Sequence, residues 1–377
     1  MRRLTIVLLA GWLTSVIALA PAKAEVVQAF EVQAPFAPVL ADSGGARQLA
    51  YELHLTSFAG RSIAIERITV LDADGATLGM AEGEGLTGWM GRVGPRGTAD
   101  MRTVPPGARA IVYFNLPIAR ALPATLVHRI DFHFAEGDDR TPRQLTGPAM
   151  PVDPRPPVIL GPPLRGGPWA AVYAPGMERG HRRVIYATEG AARIPGRFAI
   201  DWIRLDEGGR PAPEGATRLD QFHGHGAEVL AVADAIVAAV RDDMTEAGTL
   251  DAVPRVSIGD ASGNYVALDL GGDRYAFYEH LQRGIPVRRG QRVRRGDVIG
   301  RLGLTGQGSE PHLHFHVANA NSLLGADGLP FVLEGAEILG AYPSIEAFGR
   351  GGPWTPAAQR STGALTPGPN AVVRFSN

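Results

Sequence analysis

The sequence predicts an all-β protein with a β-sandwich-like front part and a compact antiparallel sheet behind it. Three observations carry this. Apolar residues recur in short runs with a period of two, bounded by turn residues, and the 377 residues include 48 glycines and 30 prolines. The run Val287-Arg288-Arg289-Gly290-Gln291 is nearly repeated as Val293-Arg294-Arg295-Gly296-Asp297, a spacing that only closely packed turns allow. A Pro/Gly-rich break between Gly147 and Pro168 divides the chain, which is long enough for two domains.

Residues 1–24 read as a secretory leader: Arg2 and Arg3, an apolar run from Leu4 to Ala20, then Ala22-Lys23-Ala24 as a small-residue cleavage site. A periplasmic or secreted location follows, and no later segment is apolar enough to span a bilayer. Removing the leader takes away three basic residues and no acidic one, so the net charge goes from −1 to −4 and nothing favours a nucleic-acid partner. The chain has no cysteine, and Lys23 is its single lysine. A cysteine nucleophile, thiolate metal sites, disulfides, Schiff-base chemistry and a phosphate-loop lysine are thereby excluded from the mature chain.

Residues 25–150 hold the β-runs Gln48 to Thr56, Ser62 to Leu71, Ala108 to Leu116 and Leu126 to Phe134, which suit a sandwich. Asp72-Ala73-Asp74-Gly75 lacks the ligand series of a calcium loop and reads as a turn. In His128 to Phe134 the apolar set Ile130, Phe132 and Phe134 packs, while Arg129, Asp131 and His133 face water. Residues 151–168 form a semi-rigid linker or covering arm.

Residues 169–335 contain seven of the ten histidines. Phe198 to Leu205 sets Asp201 between Ile200 and Trp202, where a carboxylate is costly to bury without a cation, so Asp201 is a candidate metal ligand. Glu228 to Val240 reads as two strands and a turn, although a buried helix has the same pattern. Tyr265 to Leu270 and Tyr275 to Leu281 form a hairpin around Gly271-Gly272-Asp273. In Pro311-His312-Leu313-His314-Phe315-His316-Val317 alternation turns the three histidines to one side of a strand and Leu313, Phe315 and Val317 to the other. Such a row is either a metal-binding face or the polar face of a half-buried strand. Residues 336–377 are a Pro/Gly-containing tail whose Ala371 to Phe375 can add an edge strand.

The order Tyr278-Glu279-His280-Leu281, Val287, Gly290, Val293, Gly296, Ile299-Gly300, Gly303-Leu304-Thr305-Gly306 and Pro311-His312-Leu313-His314-Phe315 resembles the core of the lysostaphin-type, or LytM-like, zinc peptidases. The resemblance covers roughly His181 to Val317. It implies one Zn2+ per chain held by His181, Asp201 and His314, with His280 and His312 assisting catalysis. Two further implications are peptidoglycan as partner and hydrolysis of peptide bonds in its cross-links. His181 and Asp201 are twenty positions apart rather than the commoner four, so an insertion has to loop out between them. Position 316, often Glu in the family, is His316 here and reads as a ligand-supporting or solvated residue. His223-Gly224-His225 reads as a surface loop and supplies alternatives to His181. Seven arginines from Arg283 to Arg301 offer a surface for anionic polymer or sit on a solvated hairpin. The same resemblance fits a non-catalytic relative that binds cell-wall material or activates another hydrolase, and also a zinc endopeptidase acting on a protein.

Overall fold

A computed structural model describes residues 29–93, 100–119, 121–173, 180–358 and 362–376; the expected leader, residues 1–24, falls outside them. Strands dominate, and the two α-helices among the described residues are only seven and five residues long. No described helix is long and apolar enough to cross a membrane.

Four long strands organise the front: β1 (Ala46–Ser57), β2 (Ile63–Leu71), β3 (Arg109–Pro117) and β4 (Thr125–Phe134). β1 pairs antiparallel with β3 in a five-stranded sheet, and β2 with β4 in a six-stranded one. Alternation brings Leu49, Tyr51, Leu53 and Leu55 of β1 against Ile63, Ile65, Ile68 and Val70 of β2 in one apolar core. The odd-to-even change after Ile65 is a bulge between Ile65 and Arg67, where one extra residue resets the phase. His128 is buried on the core side with its ring on the Tyr51 hydroxyl at 2.7 Å, and His133 on the other face pairs with Glu66 at 2.8 Å. Asp72 Oδ1 accepts from the amides of Asp74 and Ala76, an aspartate-stabilised turn.

The outward face of β1 is covered as well. Ala50, Glu52 and His54 alternate with the core residues and are buried, and Ala50 belongs to the second apolar core, formed largely by residues beyond 160.

The rear of the chain is a thirteen-stranded sheet. Its principal strands are β5 (Gly166–Val172), β6 (Ile200–Arg204), β7 (Ala235–Arg241), β8 (Asn264–Asp269), β9 (Tyr275–Leu281), β10 (Leu313–Ala318), β11 (Phe331–Ala341) and β12 (Ala371–Phe375). Their spatial order is β11-β12-β5-β6-β10-β9-β8-β7. Val158–Leu160, in the Pro/Gly-rich stretch, pairs parallel with β11. The stretch from Glu228 folds as strands Glu228–Leu230 and β7 rather than a helix, and β8 and β9 form the expected hairpin.

The tail departs from the expectation of an edge strand, because β12 lies between β5 and β11. Both of its faces are apolar: Ala371, Val373 and Phe375 enter the main core while Val372 packs with Val172, Ile203 and Tyr342 on the other side. A strand apolar on both faces belongs inside a sheet. In β10 the same alternation turns Leu313, Phe315 and Val317 into the main core and leaves His314 and His316 on the opposite face.

Candidate metal centre

Sheet register assembles the centre. β6 and β10 pair so that Asp201 is directly opposite His314, and β10 and β9 pair so that His314 is directly opposite Glu279. Three adjacent strands thus set an acid, an imidazole and an acid in one row, at the close lateral spacing of cross-strand neighbours. His314 uses both ring nitrogens along it. Nδ1 is 2.8 Å from Asp201 Oδ1, and Nε2 faces Glu279 Oε1 across 3.7 Å.

His181 reaches the same carboxylate from a 3-10 turn, His181–Arg183, with Nε2 3.0 Å from Asp201 Oδ2. The twenty-position gap is taken up by a hairpin, Tyr186–Thr188 with Ala191–Arg193, and a second 3-10 turn, Pro195–Phe198. Gly180 makes the first turn possible: its φ is +108°, and a Cβ there would lie 2.5 Å from the Tyr173 ring.

Three donor atoms, two imidazole nitrogens and a carboxylate oxygen, lie within 4.8 Å of one another in His181, Asp201 and His314. Two neutral imidazoles and a carboxylate are a donor set that suits zinc while leaving a fourth position for water or substrate. Asp201 is 6% exposed; burial alone would raise its pKa, but the neighbouring histidines hold it well below the usual carboxylate range. Burial likewise works against a charged His314, yet Glu279 and Asp201 raise its pKa to about 9. His181, Glu279 and His314 border a cavity of about 200 Å³ lined also by Tyr186, Ser262, His280 and Gln307.

His312 and His280 flank the row, with ring centroids 4.6 Å apart. Each donates Nδ1–H to a backbone carbonyl, His312 to Glu310 at 2.7 Å and His280 to Thr305 at 2.9 Å. A carbonyl can only accept, so in the neutral ring Nε2 carries the lone pair. His312 Nε2 is 3.7 Å from Asp201 Oδ2. Burial, reinforced by His312 and His314, lowers the His280 pKa well below the usual histidine value and keeps that ring neutral.

His280 faces this side because the strand is bulged. Three steps of β9, Tyr278 to Leu281, oppose two of β8, Asn264 to Val266, and His280 has φ +65°. Without the extra residue, Glu279 and His280 would point to opposite faces.

The solvated reading of His316 does not hold: the residue is 1% exposed, stacks on Phe277 at 4.9 Å, and its Nδ1 lies 3.4 Å from Glu279 Oε1. Glu279, His314 and His316 form a second group of close donor atoms that shares His314 with the first. The motif Tyr278-Glu279-His280-Leu281 assigns Glu279 no role; its two-residue spacing from Phe277, which stacks on His316, is the signal that places it on this face of β9. His223 and His225 join neither group among the described residues. His225 instead contacts Glu246 at 3.2 Å and Gln282 at 2.9 Å, and His223 lies 3.9 Å from Asp206.

Residues 216–324 match peptidase family M23. A curated relative, peptidoglycan DD-endopeptidase ShyC of Vibrio cholerae, is 41% identical over 63 residues, which are 17% of this chain and 14% of that protein. The chain therefore matches only a small part of that relative's length. Among solved structures, the catalytic domain of lysostaphin from Staphylococcus simulans is 23% identical, with 33% of this chain and 86% of that one covered and a TM-score of 0.22. A zinc-containing peptidase from Vibrio cholerae is 17% identical, with 74% and 81% covered and a TM-score of 0.24.

Proposed function

We propose that this chain, similar to peptidase family M23 over residues 216–324, is a zinc-dependent endopeptidase that hydrolyses peptide bonds in peptidoglycan cross-links. The observation that carries the reading is the convergence of His181, Asp201 and His314 beside two histidines that both present a bare Nε2. The curated relative supports a wall peptide as the substrate class.

His181 Nε2, Asp201 and His314 Nδ1 would hold one zinc ion. Zinc in such a site lowers the pKa of a water to about 7 and polarises the scissile carbonyl. The chain's own residues do the rest. His312, anchored by Glu310, accepts the proton of the attacking water at Nε2. His280 is neutral in the resting site, so its Nε2 is not a hydrogen-bond donor there; it becomes one by taking over the proton that His312 drew from the water, the two rings lying 4.6 Å apart between centroids, and it passes that proton to the leaving amine. Glu279 faces the remaining nitrogen of His314 and fixes that ring's orientation. In this reading residues 1–24 direct the chain to the periplasm or the exterior, and residues 169–335 form the peptidase unit behind the front segment 25–150.

The test is digestion of purified sacculi by the zinc-loaded chain, with released muropeptides read by mass spectrometry beside a chelated control. New peptide ends that depend on metal are expected and identify the bond cut. Zinc bound at one per chain with no release points to a protein substrate or to a wall-binding role. His314→Ala that kept zinc and full activity would refute the ligand set.

A further inference from the structure

Glu52 lies on the outward face of β1, far in sequence from every residue of the metal centre. Its two carboxylate oxygens are divided between two arginines of the rear segment. Arg182 Nε donates to Oε1 and Arg197 Nε to Oε2, each at 2.7 Å. None of the three side chains is more than 4% exposed. Arg182 spends its other donors on the front sheet too: on Asn115 Oδ1 at 2.7 Å, the Tyr51 carbonyl at 3.0 Å and the Phe114 carbonyl at 2.9 Å. Arg183 continues the contact, donating to the Met90 carbonyl at 3.0 Å with its guanidinium 3.9 Å over the Tyr113 ring. Asp327 Oδ1 accepts from Arg197 at 3.3 Å, so two carboxylates balance two guanidiniums in the buried set.

The placement of these arginines gives the network its meaning. Arg182 and Arg183 belong to the turn that carries His181, and Arg197 belongs to the turn pressed against it, where a Cβ on Gly196 would fall 2.6 Å from His181 Cβ. Asp201 and His314 are fixed by strand ladders on both sides. Among the described residues His181 belongs to no strand ladder, and the backbone bonds that close its turn are Arg183 N to Gly180 O and Val184 N to His181 O.

We infer that the front sandwich is a working part of the metal centre, with Glu52 as a positioning residue that, through Arg182 and Arg197, holds His181 against Asp201. A buried ion pair adds little net stability but fixes geometry, and removing one partner leaves an unpaired buried charge. Zinc affinity therefore depends on the docking of the front segment, so anything that pries the sandwich away weakens the site without touching it. The inference rests on His181 being a zinc ligand.

The experiment measures zinc affinity of the full chain by competition with a chromophoric chelator, alongside hydrogen exchange of the 180–198 segment and the visible spectrum of the cobalt-substituted protein. Glu52→Gln and Arg182→Lys are compared with wild type; lysine keeps the charge but lacks the fork that spans four acceptors. Both variants are expected to bind zinc about 10- to 100-fold more weakly, the range for residues that orient ligands, with faster exchange at 180–184 and a cobalt spectrum that has lost an imidazole. Arg182→Lys carries the test if Glu52→Gln does not fold. Folded variants that matched wild-type zinc affinity and cobalt spectrum would overturn this inference alone. A wild-type chain that bound no zinc would overturn the zinc reading and this inference with it.

Discussion

Gly263→Ala tests whether the anchoring of His280 matters as the geometry requires. Gly263 has φ +62°, and an added Cβ would lie 2.3 Å from the Thr305 carbonyl oxygen and 2.5 Å from its carbonyl carbon and Oγ1. Those atoms do two things. The carbonyl accepts the His280 Nδ1–H at 2.9 Å, and Oγ1 accepts from the Asn264 amide while donating to the Leu281 carbonyl. The Thr305 peptide has to recede by about half an ångström or more, since close-packed interiors offer no slack of that size. That stretches the His280 bond past the useful range and frees its tautomer. Left-handed backbone in a non-glycine residue costs about 1–2 kcal/mol, and a weakened buried hydrogen bond adds about 1 kcal/mol, so stability should fall by roughly 2–3 kcal/mol. Turnover on sacculi should fall at least about tenfold, a part of what general acid–base groups contribute. Zinc content should stay at wild type, because none of the three proposed ligands lies on this loop. Gly271→Ala is the matched control: its φ is +79° but a Cβ there meets nothing within 4 Å, so it carries the backbone cost without the displacement. The readouts are thermal melting, metal analysis, muropeptide release and long-range ¹H–¹⁵N correlation of the His280 ring. A Gly263→Ala chain with wild-type turnover and the same His280 tautomer would refute the reasoning.

Glu279→Ala should weaken zinc binding about 10- to 100-fold in a chelator competition, because His314 loses the carboxylate facing its second nitrogen; unchanged affinity would remove Glu279 from the site's support. The front segment should lose stability in mild acid. Burial lowers the pKa of His54 and of His128 from 6.5 to about 4. The folded chain then binds fewer protons than the unfolded one in that window, so stability is complete above 6.5 and declines as pH falls toward 4. The limit is roughly 3 kcal/mol for each ring, and melting curves across the window check it; a melting temperature that did not fall would show these rings protonated in the fold.

Period-two reading was enough to turn the histidines of β10 to one side, and the polarity of its neighbours was enough to single out Asp201. Both signals are local, and strands express local signals faithfully. What escaped it depends on partners distant in sequence. The insertion between His181 and Asp201 could be counted but not folded, and only the hairpin and turn bring His181 back to 3.0 Å. Glu279 and His280 are adjacent yet share a face because of a bulge, which no alternation rule announces. His316 looks like a water-facing residue until Phe277 of the neighbouring strand covers it. Glu52 is ordinary in its own strand, and the arginines that pair with it in the interior come some 130 positions later.

Strand β12 sets Val373 opposite Trp169 on one side and Ile338 on the other. The sheet therefore stays split, with β5 and β11 as two bare edges, until the chain has been made through residue 375. Pairings this remote in sequence form late and slowly, and open edges attract other chains. The proposed ligand strand β6, one strand away from that seam, reaches its final surroundings only near the end of folding. Joining of the two half-sheets, rather than the chemistry, is therefore the place where a mutation in β12 would first be felt.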